Sequence, residues 1–205
     1  MKTAHWRISL DNKVKVAKER ILKAFKDNNN LVFVSHSGGK DSCVVYDLVK
    51  TALGDGEFPV IHNVKPLLGT SGTEIGALTE MHPETLEFLY SKVASVHPVY
   101  FFHASEMKDF IDVTCARASI DGSRLCEYTR KGKSSEFIKN GKNVSRSEMT
   151  DYIENGLFGL NQCFPIFDWS DDDVFDYIEH FALDISEEYT KNGELLAYHK
   201  RKAGL

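Results

Sequence analysis

The chain has 205 residues, 42% hydrophobic and 27% charged, with a formal net charge of −5. That length and balance predict one soluble domain over 1–205 with a sizeable core. No apolar run approaches the roughly 20 residues of a membrane span, which excludes a spanning helix. Met1-Lys2-Thr3-Ala4-His5-Trp6-Arg7 lacks the apolar centre of a signal peptide. Cys43, Cys115, Cys126 and Cys163 form no Cys-x-x-Cys pair, so a reduced, cytoplasmic protein without a zinc ribbon or iron–sulfur motif is expected.

In chain order, Lys13 to Phe25 reads as an amphipathic helix with Val14, Ala17, Ile21 and Phe25 on its inner face. Asp27-Asn28-Asn29-Asn30 breaks it. Leu31 to Val34 is a short apolar run, and a helix from the following loop to about Leu53 stops at Gly54-Asp55-Gly56. Phe58 to Asn63 reads as the next strand, completing a parallel βαβ unit. Val64 to Met81 is a long, polar, glycine-rich loop of the kind that carries ligand contacts at strand ends. Pro83 suits the first turn of a helix whose inner face is Leu86, Leu89, Tyr90 and Val93. Val99 to His103 is a third strand, and a helix capped by Ser105 runs to about Cys115.

Between Arg117 and Arg146 eight basic residues face three acidic ones, so this segment carries +5 and the remainder −10. Such an island suits a local anionic ligand or a solvated lysine-rich loop, with nucleic acid only weakly indicated. Residues 117–146 are expected to form loops and short helices covering the ligand site. Ser170 and Asp173 match a capping box, starting a helix with Val174, Tyr177, Ile178 and Phe181 on one face. Residues 186–205 are expected to be a C-terminal helix with a basic end.

The most informative stretch is Ser35-His36-Ser37-Gly38-Gly39-Lys40-Asp41-Ser42, between an apolar strand and a helix. Free loop N–H groups and the positive end of the helix dipole converge there on one anion-sized spot. Gly38 and Gly39 permit close backbone approach, the serines add hydroxyls, and Lys40 adds a cation. A Walker A loop is excluded by Val34 and Asp41, and the dinucleotide pattern Gly-x-Gly-x-x-Gly is absent. His36 reads either as a phosphate hydrogen-bonder or as an exposed ring. Asp41 reads either as a helix cap or as a contact to Mg²⁺.

Ser37 to Ser42 resembles the pyrophosphate loop (PP-loop) of the adenine nucleotide α-hydrolase-like superfamily. Two further stretches, His82-Pro83-Glu84-Thr85-Leu86-Glu87-Phe88 and Phe164 to Ile178 with its Trp169 and Asp173, are similar to the phosphoadenosine phosphosulfate (PAPS) reductase family, which includes the small subunit of ATP sulfurylase. The resemblance implies a Rossmann-like α/β fold with about five mainly parallel strands. It implies phosphate binding by Ser35, His36, Ser37, Gly38, Gly39, Lys40, Asp41 and Ser42, with Ser37, Lys40 and Asp41 catalytic. Adenine would lie near Val34 and Ile61. Arg146, with Gly141 and Ser145, lines up with the family's Gly-x-Arg…Ser-x-x-Arg region. ATP, or a related adenine nucleotide, and Mg²⁺ are the implied ligands, with an unidentified acceptor and a homo-oligomer open.

Two departures narrow the expectation. The family's Asp-Thr-Gly after the second strand is replaced by Ile61-His62-Asn63-Val64 and a long loop. No cysteine follows Cys163, so the reductase's terminal sulfur nucleophile is not matched. Cys115 and Cys126 read as a redox pair or as small hydrophobes. Three functions follow: ATP cleavage between the α and β phosphates to adenylylate sulfate or a nucleobase-type acceptor, a sulfonucleotide reductase relative, and a non-catalytic nucleotide-binding regulatory module.

Overall fold

The computed structural model describes residues 4–64, 83–103, 106–126, 138–140, 142–145, 148–186, 190–191 and 194–195. Helix α1 (Ala4–Asp27) is longer than its periodic core and buries Leu10, Ala17, Ile21, Ala24 and Phe25. It stops where Asn29 and Asn30 take left-handed φ of 56° and 62°, and the Asn30 N–H returns to the Phe25 carbonyl. Asparagine tolerates that conformation better than other side chains.

Strand β1 (Val32–Ser35) leads into α2 (Lys40–Leu53), and β2 (Val60–Val64) follows. Helix α3 (Pro83–Phe88) continues into a π-helical turn, Leu89–Val93, before β3 (Val99–His103). Helix α4 (Met107–Thr114) then crosses to β4 (Ala118–Ile120). Two-residue strands β5 (Ile138–Lys139) and β6 (Lys142–Asn143) form a hairpin, and β7 (Tyr152–Ile153) pairs antiparallel with β8 (Asn161–Cys163). Helix α5 (Asp171–Phe181) has the expected Ser170/Asp173 capping box.

The main sheet has six strands in the order β3-β2-β1-β4-β8-β7, all parallel except β7. Alternate residues of β1 face opposite layers. Val32 and Val34 join α1, α2 and α5 residues in the larger core, whereas Phe33 meets Met107, Phe110 and Ile61 on the other face. The chain winds outward from β1 through β2 to β3, then returns to place β4 on β1's other side. The β1/β4 boundary is therefore the topological switch point, where open α/β sheets present a crevice beyond the strand ends.

Several expectations need correction. The segment 117–146 is more than a cover of loops and short helices, because Ala118–Ile120 is a fully buried strand beside β1. Within 186–205 the described residues include an antiparallel pair, β9 (Thr190–Lys191) with β10 (Glu194–Leu195), so that stretch is not one helix. Phe181 is 44% exposed while Val174, Tyr177 and Ile178 are buried, because α5 ends there. Ser105 and the loop 65–82 lie outside the described residues.

Candidate functional site

The loop from Ser35 to Ser42 sits at the carboxyl end of β1, on the switch point. Gly38 needs to be glycine, since its φ is 77°. Gly39 does not share that conformation: as N-cap of α2 it has φ −77° and ψ 162°. The Gly39 N–H donates to Ser37 Oγ at 3.3 Å, Ser37 and Ser42 hydroxyls meet at 3.1 Å, and Ser42 Oγ donates to the Gly39 carbonyl at 2.7 Å. The serines thus stiffen the loop, and no helical carbonyl can satisfy the first-turn N–H groups of α2.

His36 is not an exposed ring: it is 1% exposed. Its Nδ1 accepts the Gly38 N–H at 3.0 Å, and its carbonyl accepts Nδ1–H of His62 at 2.6 Å. Burial, with His62 as a lesser cause, pushes the His36 imidazole down to about 3, so it is neutral. The acceptor role of Nδ1 puts the proton on Nε2, which finds no hydrogen-bond partner among the described residues. Beside it a cleft of about 330 Å³ separates α2 from the π turn, lined by Tyr46, Lys50, Phe88 and Lys92 among others.

Lys40 and Asp41 belong to a charge cluster whose cations are buried and whose carboxylates are half-buried. Lys40 Nζ lies 3.0 Å from both Asp41 carboxylate oxygens and 3.5 Å from Asp171 Oδ1. Arg124, with no exposed surface, reaches Asp41 Oδ1 at 2.9 Å through Nε and Asp171 Oδ1 at 2.8 Å through Nη2. Two cations and two carboxylates therefore tie the start of α2 to the start of α5 and to the segment after β4. Gly122 permits that approach: a Cβ there would lie 3.0 Å from the Asp41 carbonyl carbon and 3.1 Å from Ser42 N.

The structure brings together Ser35, His36, Ser37, Gly38, Gly39, Lys40, Asp41 and Ser42, while Arg146 lies outside the described residues. Arg124, Gly122 and Asp171 are the members that sequence reasoning missed. The signal was present, because Gly122-Ser123-Arg124 has the Gly-x-Arg spacing sought around Arg146. Both Asp41 oxygens face cations, Lys40 Nζ and Arg124 Nε, so in this arrangement the carboxylate is engaged in ion pairs. Cys43 and Cys163 are buried, Cys115 is exposed, and Cys126 accepts from Arg124 Nη1 at 3.2 Å. Among the described residues, no helix is long and apolar enough to cross a membrane.

Neither a family model nor a curated protein sequence matches this chain. Solved structures do. Yeast FAD synthetase in complex with FAD superposes with a TM-score of 0.62 at 13% identity, covering 92% of this chain and 65% of that one. A PAPS reductase from Candida auris in a phosphate complex gives 0.53 at 13% identity, covering 93% and 94%. A U34-tRNA thiolase from Methanococcus maripaludis with its iron–sulfur cluster gives 0.52 at 14% identity, covering 95% and 70%. The chain thus spans just under two thirds of the FAD synthetase. What the likeness establishes is the fold alone: a Rossmann-like α/β architecture with a mainly parallel sheet, shared with these three structures.

Proposed function

We propose that this protein is an enzyme that binds ATP at the Ser35–Ser42 loop and cleaves it between the α and β phosphates to adenylylate an acceptor. The observation that carries the reading is the loop's position: a glycine turn at φ 77°, opening a 14-residue helix at the sheet's switch point. An acceptor oxygen attacks the α-phosphorus, the bond from that phosphorus to the bridging oxygen breaks, and pyrophosphate leaves with the electron pair. The chain's part is positioning and charge stabilisation. Amides of Lys40, Asp41 and Ser42 and the Ser35, Ser37 and Ser42 hydroxyls receive the departing phosphates. Lys40, now 3.0 Å from Asp41, exchanges that carboxylate for a phosphate oxygen. Asp41 and Asp171 hold the ammonium ready for the exchange, and Arg124 keeps those carboxylates in place without touching the nucleotide.

A second reading is a sulfonucleotide enzyme. The PAPS reductase match favours it, since that likeness spans nearly the whole of both chains. Its adenine nucleotide would occupy the same loop. Pyrophosphate release from ATP, measured with sulfate and with nucleobase-type acceptors, separates the two. The first reading expects release that Ser37→Ala and Lys40→Ala each reduce at least tenfold. Release untouched by both variants sinks it, and tight binding of a 3′-phosphorylated sulfonucleotide without ATP turnover favours the second.

A further inference from the structure

The left-handed turn at Gly38 raises the question of what holds it there. Its N–H is bound by a side chain, Nδ1 of His36 at 3.0 Å. His36 is in turn locked on the sheet. Its N–H donates to the Ile61 carbonyl at 2.8 Å, its carbonyl takes the His62 proton, and its ring contacts Tyr46 and Phe88 with centroids 5.7 and 6.3 Å away. The opposite ring nitrogen, Nε2–H, is buried without a hydrogen-bond partner among the described residues. Phenylalanine, of similar size, would fill these aromatic surroundings but has no acceptor for the Gly38 N–H, which is what Nδ1 meets.

We propose that His36 is a positioning residue of the loop, its Nδ1 lone pair fixing Gly38 in the left-handed turn that aims the N–H groups at the phosphates, and that it does not touch the nucleotide itself. This rests on the nucleotide reading of the loop, and removes His36 from the residues that contact phosphate. Because His62 Nδ1–H holds the His36 carbonyl, the middle of β2 takes part in setting the same turn.

Two substitutions separate acceptor from packing. Asparagine carries its Oδ1 on Cγ as histidine carries Nδ1, and asparagine side chains accept from the N–H two residues on. His36→Asn keeps the acceptor and loses the ring; His36→Phe keeps a ring and loses the acceptor. Calorimetric titration with ATP and with inorganic pyrophosphate, beside thermal unfolding, should give opposite orders. His36→Phe is expected to bind both probes on the order of tenfold more weakly with Tm unchanged or raised. His36→Asn is expected to stay within about threefold of wild type in affinity with a lowered Tm. Wild-type affinity in His36→Phe, or equal losses in both variants, overturns the proposal. Amide exchange at Gly38 in the nucleotide-free protein decides the matter independently. Slow exchange in wild type and His36→Asn with fast exchange in His36→Phe supports it, and equal exchange in all three overturns it. Should the wild type bind neither probe, the nucleotide reading fails while the Gly38 measurement still judges His36.

Discussion

Replacing Arg124 by methionine removes a fully buried cation while keeping much of its apolar volume. In the native cluster Lys40 and Arg124 balance Asp41 and Asp171, with contacts of 2.8 to 3.5 Å. Without Arg124 the cluster carries one uncompensated negative charge. Breaking a buried ion pair from one side costs about 3–5 kcal/mol. The Asp41 and Asp171 side chains are 20% and 33% exposed, so water screens part of that cost, and the lower end, about 3 kcal/mol, is expected. For a domain of this size that lowers Tm by roughly 6–12 °C. Urea unfolding measures it as a fall in midpoint at constant slope. Asp171→Asn on the Arg124→Met background restores neutrality and should recover at least ~1 kcal/mol. If Arg124→Met stays within about 1 kcal/mol of wild type, or the double variant is no better than the single, the charge-balance reasoning is wrong.

Gly122→Ala places a Cβ 3.0 Å from backbone of Asp41, which cannot rotate away. Urea unfolding should show a loss of about 1–3 kcal/mol, with weaker ATP binding because the start of α2 is displaced. Asn28 is 1% exposed and joins the Ala24 carbonyl, the Tyr152 hydroxyl and the Asn161 amide. Asn28→Ala should cost about 1–3 kcal/mol in urea while leaving nucleotide affinity unchanged, since it lies at the opposite end of β1. Acid should destabilise the fold through His36. The unfolded imidazole protonates near pH 6.5 and the folded one only at about 3. Its contribution is complete above pH 6.5 and lost as pH falls toward 3, with a slope approaching ~1.4 kcal/mol per pH unit. Urea midpoints from pH 7 to 5 should therefore fall, and should fall less steeply in His36→Phe; parallel profiles contradict this.

The parts of the fold legible in the sequence were those that carry their own signal. The β1–loop–α2 unit, β3 and the Ser170 cap pair apolar runs or capping residues with clear breaks. Strands β4 and β8 have no such signal: each is three residues long and carries Ser119 or Gln162 inward, so pairing with β1 and its neighbours makes them strands. Arg124 was hidden among charges that read as solvated, because local composition says nothing about a carboxylate 47 positions away. Two hairpins were missed despite a usable sign. Asn140-Gly141 separates β5 from β6, Asn192-Gly193 lies between β9 and β10, and Asn-Gly favours two-residue hairpin loops. The candidate site was legible as a loop but not as a cluster, since its second half comes from distant turns.

Amide NMR during titration with ATP tests the central claim most directly. If the loop holds the nucleotide's phosphates, the N–H signals of Gly38, Gly39, Lys40, Asp41 and Ser42 shift together and saturably, with Gly122 packed against them following. Those shifts should vanish in Ser37→Ala/Lys40→Ala. Saturation by ATP with these amides unmoved, or shifts confined to another face of the sheet, contradicts the account.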